Sequence, residues 1–163
     1  MLNRVIEQMI HYNQNDVKRV NHALKVLGYA QAILISADLD EKSKNIILYT
    51  AVLHDIGIKE SERKFNSSAW NYQEIEGPPI AEKMLLELNI PADIIKRVCF
   101  IIGNHHSYDK INGIDFQIIV EADFLVNIYE KSLSISTIED IKNNYFKTES
   151  GKKLINTMFL KEK

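Results

Sequence analysis

Apolar residues recur along most of the chain at the three-to-four spacing of an α-helix, and little interrupts them: 163 residues contain only three prolines and six glycines. A 3.6-residue period sustained through segment after segment predicts an all-α fold. Leu2, Val5, Ile6, Met9 and Ile10 make the apolar stripe of a short first helix, which ends in the Asn-rich stretch before Asp16. Asn15 or Asp16 can cap a second helix running to about Ala37. A third is expected from about Asp40 to Ile56, stopped by Gly57. Between Ile46 and Leu53 only Thr50 is clearly polar, so this helix should be buried on most sides.

From Ile58 to Asn71 the period lapses into charged and serine-containing sequence, which reads as a loop long enough to be functional. Pro78 and Pro79 suit the first turn of a helix that reaches about Asn89. Pro91 opens the next, through Ile102 and into Asn104, His105 and His106. A turn at Asn112 and Gly113 precedes a helix from about Asp115 to Lys131, and two more lie near Thr137 to Tyr145 and Glu149 to Leu160. With no internal repeat, low-complexity segment or linker, the expectation is one compact helical bundle over residues 1–163. Its core would span about 15–131, followed by C-terminal helices at about 137–160.

Composition narrows the function classes. At 45% hydrophobic and 26% charged, the chain is of ordinary globular type. A formal net charge of −2 offers no extended basic surface for nucleic acid. The single cysteine, Cys99, excludes an intrachain disulfide and suits a reducing compartment; within the apolar run Val98 to Ile102 it reads as a buried structural thiol. Met1 to Ile10 carries Arg4 and Glu7 and does not read as a signal peptide, and no apolar run is long enough for a membrane span. The cytoplasm is the expected location.

Several ionisable residues sit on apolar helix faces, where an unpaired imidazole or carboxylate is costly. His22 shares a face with Val26, Tyr29 and Ile33. His54 follows Thr50 and Ile47 on one stripe, Asp55 follows Ala51 and Leu48, and Asp123 is in line with Phe116, Ile119 and Val126. Each alone has an ordinary explanation: a satisfied core histidine, a helix-end residue, an aspartate paired with arginine. Asp55 fits least well, because a carboxylate near a helix C-terminus opposes the macrodipole. Two neutral imidazoles and two carboxylates around one cation would satisfy all four together. That mixed donor set suits Mn²⁺, Fe²⁺, Co²⁺, Ni²⁺, Mg²⁺ or Zn²⁺.

The segments "VNHALKV", "AVLHDIGI", "GPPIAEKML", "IIGNHH" and "EADFLVN", in this order between about Arg19 and Asn127, resemble the HD-domain superfamily of metal-dependent phosphohydrolases. The resemblance implies that His22, His54, Asp55 and Asp123 ligate a divalent metal. It also implies hydrolysis of a small phosphate ester, a nucleotide among the candidates. Such an ion lowers the pKa of a bound water and neutralises charge growing on the phosphoryl group, so no covalent protein nucleophile is needed.

Members with two metals carry an additional histidine where this chain has Gln73. Glu74 and Glu76 lie close by as substitutes, and His105 and His106 match the paired histidines of such members. One tightly held metal is therefore favoured over two, with Asp55, His105 and His106 as the catalytic residues, the histidines acting on substrate or water. Where the family often has a lysine after the His-Asp-x-Gly segment, Ile58 stands here and Lys59 follows. Lys59, Arg63 and Lys64 are expected to contact substrate phosphate, the alternative being a solvated charged loop.

Trp70 and Tyr72 could stack on a nucleobase or pack the loop onto the core. Tyr108 and Asp109 could border the pocket, and Glu121 reads as an exposed acid. A metal-holding nucleotide sensor without turnover is the competing reading, and di-iron oxygenation a third that Gln73 disfavours. The amphipathic first and last helices could pack on the core or on a second chain, which would make a homodimer.

Overall fold

The computed structural model describes residues 1–35 and 37–160. Among these residues there are helices and turns and no strand, as the periodicity predicts. Helix α1 (Leu2–Asn13) is followed by α2 (Val17–Leu34), whose N-cap Asp16 accepts a hydrogen bond from the Arg19 N–H at 3.1 Å. The next helix, α3 (Glu41–Leu53), is capped by Asp40, which accepts from the Ser43 N–H at 2.8 Å. Thus α2 ends three residues short of Ala37. In α3, Ile46, Ile47 and the whole run Tyr49 to Leu53 are buried, because α1, α2, α6 (Ala92–Ile102) and α7 (Ile114–Glu130) all pack around it. Full burial of side chains such as Ile47, Leu53, Phe116 and Leu125 is worth about 1.5–3 kcal/mol each.

Two sequence expectations are corrected between α3 and α6. The segment expected as a loop from Ile58 to Asn71 contains a helix, α4 (Ile58–Phe65). Its charges are those of a solvated helical face. Glu60 lies in the first turn and Arg63 and Lys64 in the last, so all three complement the macrodipole. The Glu60–Arg63 pair adds an i,i+3 contact at 2.6 Å. Asn66 (φ 50°) closes this helix in the left-handed conformation that asparagine tolerates.

Helix α5 (Trp70–Glu87) begins eight residues before Pro78, so Pro78 and Pro79 lie mid-helix and not in a first turn. They remove the N–H groups that would bond the Glu74 and Ile75 carbonyls, normally a loss of about 3 kcal/mol. Packing against α4 and α6 offsets it. The approach is close: a Cβ on Gly57 would lie 2.5 Å from the Gln73 carbonyl oxygen and 2.6 Å from the Gly77 nitrogen, so the α3–α4 turn rests directly on the α5 backbone.

Past α6 a single 3-10 turn (Tyr108–Lys110) leads into α7, which Arg97 ties to α6 through a bidentate pair with Asp115 at 2.7 and 2.6 Å. Helices α8 (Ile135–Tyr145) and α9 (Glu149–Ile155), then a π-helical turn (Asn156–Leu160), complete the described chain. Glu121 is fully buried, which corrects its reading as an exposed acid. It accepts hydrogen bonds from Gln117 Nε2 (2.8 Å), Lys147 N (2.7 Å), Thr148 N (2.9 Å) and the Thr148 hydroxyl, and so fastens the α8–α9 connection to α7. Cys99 is partly rather than fully buried; burial still pushes its thiol up to about 11, and it donates to the Pro78 carbonyl.

Candidate metal centre

Three helices bring the four expected residues together. His54 and Asp55 occupy the turn that ends α3, His22 lies in α2 and Asp123 in α7. The His54 Nδ1–H donates to the Ala51 carbonyl at 2.9 Å, one turn back, which leaves Nε2 as the ring atom facing inward. His22 is tied the same way: its Nδ1 meets Glu130 Oε2 at 2.9 Å and its Nε2 faces the cluster. A carboxylate or carbonyl behind Nδ1 is the arrangement that orients a metal-ligating imidazole and raises its basicity.

The inward atoms converge. His22 Nε2 lies 3.3 Å from His54 Nε2, 3.1 Å from Asp123 Oδ1 and 3.5 Å from Asp55 Oδ2. His54 Nε2 lies 3.6 Å from both Asp55 Oδ2 and Asp123 Oδ1. Bonds of about 2.1 Å to one ion would set neighbouring donors about 3.0 Å apart in an octahedron and about 3.4 Å apart in a tetrahedron. The donor spacings and the nitrogen–oxygen chemistry both fit a divalent ion. Asn127 Nδ2 donates to Asp123 Oδ1 at 2.7 Å and holds that carboxylate in place.

Asp55 faces two ways. Its Oδ1 lies 3.4 Å from His105 Nε2, in the turn after α6, and the His105 Nδ1–H donates to the Ile102 carbonyl at 2.8 Å. His105 therefore caps the end of α6 through its ring and still presents Nε2 to Asp55. His106 packs beside it with ring centroids 3.9 Å apart, and the His106 backbone N–H donates to Glu74 at 3.0 Å. Among the described residues, two groups of side chains could thus hold a metal ion: His22, His54 and Asp123 in one, and Asp55, His105 and His106 in the other. Gln73, where the sequence resemblance implied a further histidine, lies in the first turn of α5. It is 9% exposed and donates from Nε2 to the Ser68 carbonyl.

Charge follows this geometry. Burial pulls the His22 imidazole down, but the bonds to Asp123 and Glu130 and the charge of Asp55 outweigh it and lift the group to about 9. His54 is also raised, burial being overcome by Asp55 and Asp123. Burial opposes ionisation of Asp55 and Asp123, yet the surrounding imidazoles hold both below the usual carboxylate range. His106 goes the other way: burial, then the neighbouring His105, lower it to about 4. The cluster has a surplus of negative charge that attracts either protons or a cation.

A cleft of about 440 Å³ opens onto His22, Asp55, Asp123 and His106. Its cations are Lys18, Arg19 and Lys131; Lys59, Arg63 and Lys64 are not among its lining residues. Lys59 donates to the Tyr12 carbonyl at 2.6 Å and lies over the Tyr12 ring. Arg63 pairs with Glu60, and Lys64 with Glu76 at 2.7 Å. Their helix faces α1 and α5, where Glu60 and Lys64 line a separate cavity. Tyr72 stacks on Phe65 (4.2 Å between centroids) and Trp70 is exposed; neither lines the cleft. Tyr108 packs on Phe124 and Tyr145.

The cleft cations, Asn127 and Glu130 were missed in the sequence although a signal was present. Lys18 and Arg19 precede His22 by four and three residues, and Asn127 and Glu130 follow Asp123 by four and seven, all on the same helical faces.

No protein-family model matches the chain, and neither a curated protein nor a solved structure is significantly similar to it. What stands on the described residues is an all-helical domain whose clustered histidines and aspartates could hold a metal ion.

Proposed function

We propose that this chain is a metal-dependent phosphohydrolase of HD-domain type, acting on a small phosphate ester, with nucleotides first among the candidates. The observation that carries the reading is the set of histidines tied back at Nδ1 with Nε2 turned toward Asp55 and Asp123, at the floor of a cleft edged by Lys18, Arg19 and Lys131. His22, His54, Asp55 and Asp123 hold one divalent ion. When bound, that ion supplies Lewis acidity and a water of lowered pKa. The residues do the rest. Lys18, Arg19 and Lys131 bring positive charge to a phosphate at the cleft mouth, and Asn127 and Glu130 fix the ligands that the ion needs. His106, lowered to about 4, is neutral at physiological pH and offers the cleft an unprotonated ring nitrogen, the form that can accept a proton.

A second ion at Asp55, His105 and His106 is the arrangement this reading disfavours; two equivalents of metal per chain would replace it. The test of function is a screen of phosphorylated metabolites, nucleotides first, with Mn²⁺, Co²⁺, Ni²⁺, Mg²⁺, Fe²⁺ or Zn²⁺ added. Metal-dependent release of phosphate or pyrophosphate is expected, abolished in Asp55→Ala with helicity unchanged. Binding of a nucleotide without turnover across the panel would favour the sensor reading instead.

A further inference from the structure

One acid lining the cleft has no part in the histidine and aspartate cluster. Asp55 and Asp123 belong to that cluster, Glu130 orients His22, and Asp16 caps α2. Glu62 does none of these. It stands at the cleft beside Lys18, Arg19 and Lys131, where a carboxylate opposes the entry of an anion. Helix α4 turns it there. Ile58 and Glu62, one turn apart, line the cleft, whereas Glu60 and Lys64 line the cavity on the α1–α5 side. Among the described residues of α4, Glu62 is therefore the one charge presented to the cleft.

Its partner is Arg19. Glu62 Oε1 accepts from Arg19 Nη2 at 2.6 Å, while Asp16 Oδ2 meets Nη1 at 2.9 Å from within the same helical turn. The two contacts differ in kind. Asp16 also accepts from the Arg19 backbone N–H and is fixed at the start of α2. The Glu62 side chain is 45% exposed and rides on a helix whose one buried residue is Ser61. An ion pair so exposed contributes little to stability, which makes it a weak tie between helices and an easily opened one. We propose that Glu62 holds the place of the substrate's phosphate on Arg19, as a built-in competitor that an entering phosphate group displaces and that returns as product phosphate leaves. The inference rests on the cleft's taking a phosphate ester. It adds how the same site is kept from retaining anions. Phosphate wins the exchange because a dianion brings more charge to the guanidinium than one carboxylate and matches its fork of donors. Glu62 is released to water, into which it already reaches. After hydrolysis its return weakens the hold of Arg19 on inorganic phosphate.

The probe is inorganic phosphate, titrated by calorimetry into metal-loaded, desalted wild type, Glu62→Gln, Arg19→Gln and the double variant. Glu62→Gln should bind phosphate about tenfold more tightly than wild type. On the Arg19→Gln background the same substitution should gain about threefold or less, because the contested partner is gone. The cycle separates displacement from a general change of charge, which would act on both backgrounds alike. Glu62→Ala should repeat the gain, and melting temperature with metal content reports whether each variant folds. Wherever an ester is hydrolysed, inhibition by phosphate should strengthen in Glu62→Gln by the same factor.

Phosphate affinity that is unchanged or weaker in Glu62→Gln overturns the proposal and leaves the pair as a tie between α4 and α2. An equal gain on both backgrounds overturns it too, since Glu62 would then act only as a repelling charge. So does failure of both Glu62 variants to fold, or absence of phosphate binding by wild type and both variants. The two readings fail separately. Ester hydrolysis with phosphate affinity indifferent to Glu62 removes the competitor and leaves the phosphohydrolase. Tighter, Arg19-dependent phosphate binding in a protein that hydrolyses no ester removes the phosphohydrolase and leaves Glu62 as the competitor.

Discussion

Glu130 reaches His22 from α7 and sets which of its two ring nitrogens faces the cluster. Replacing it with glutamine keeps the shape but weakens the hold on the imidazole; metal affinity should fall by about 10–100-fold, measured by competition with a chromogenic chelator. The proton on His22 makes a second prediction. In the metal-free protein its pKa is raised from 6.5 to about 9, so its contribution to stability is fully present below about pH 6.5 and is lost as pH rises through 9. Asp55 and Asp123 are depressed, so their contribution is present above the ordinary carboxylate pKa and is lost in acid. Melting temperature without metal should therefore decline from pH 6.5 to 9, whereas the affinity for metal, which must displace that proton, should rise over the same range. A metal-free melting temperature that climbs across this window would show that His22 is not protonated in the folded state.

At the scale of elements, what the sequence revealed depended on whether a residue's role was local or required a distant partner. The capped starts of α2 and α3 were readable because Asp16 and Asp40 act within one turn. The charged segment after Gly57 was not, because α4 buries little of itself: Ser61 is its one buried residue, too little to print a helical stripe. The prolines of α5 misled because local preference places them in a first turn, while the close packing of Gly57 on Gly77 keeps the helix running through them.

Glu121 shows the same limit, as its partners Lys147 and Thr148 lie more than twenty residues away. A Cβ on Gly151 would overlap Glu121 Oε2, so Gly151→Ala should destabilise the protein by about 1–3 kcal/mol in chemical denaturation. Alanine at Lys59, Arg63 and Lys64 together should leave KM within about twofold, because these side chains are engaged on the α1–α5 side; Lys131→Ala should raise KM about tenfold or more. A triple variant that raises KM as much would return α4 to the binding surface.

Across the whole molecule, α3 is the organising element. Surrounded by α1, α2, α6 and α7, it carries His54 and Asp55 at its end and so fixes where His22 and Asp123 meet them. That His22, His54, Asp55 and Asp123 gather was legible in the sequence because each interrupts an apolar helical face. Their division around Asp55 was not, because the turn after α6 that brings His105 within 3.4 Å of Asp55 Oδ1 leaves no periodic signal. Whether this arrangement holds a metal is tested most directly by elemental analysis of protein purified without chelator and then reconstituted and desalted. One equivalent of a divalent metal per wild-type chain is expected, with less than about a tenth of that in His54→Ala and Asp55→Ala variants that keep their helicity. Wild-type protein that retains no stoichiometric metal under these conditions, or variants that retain as much as wild type, would contradict a metal centre at these residues.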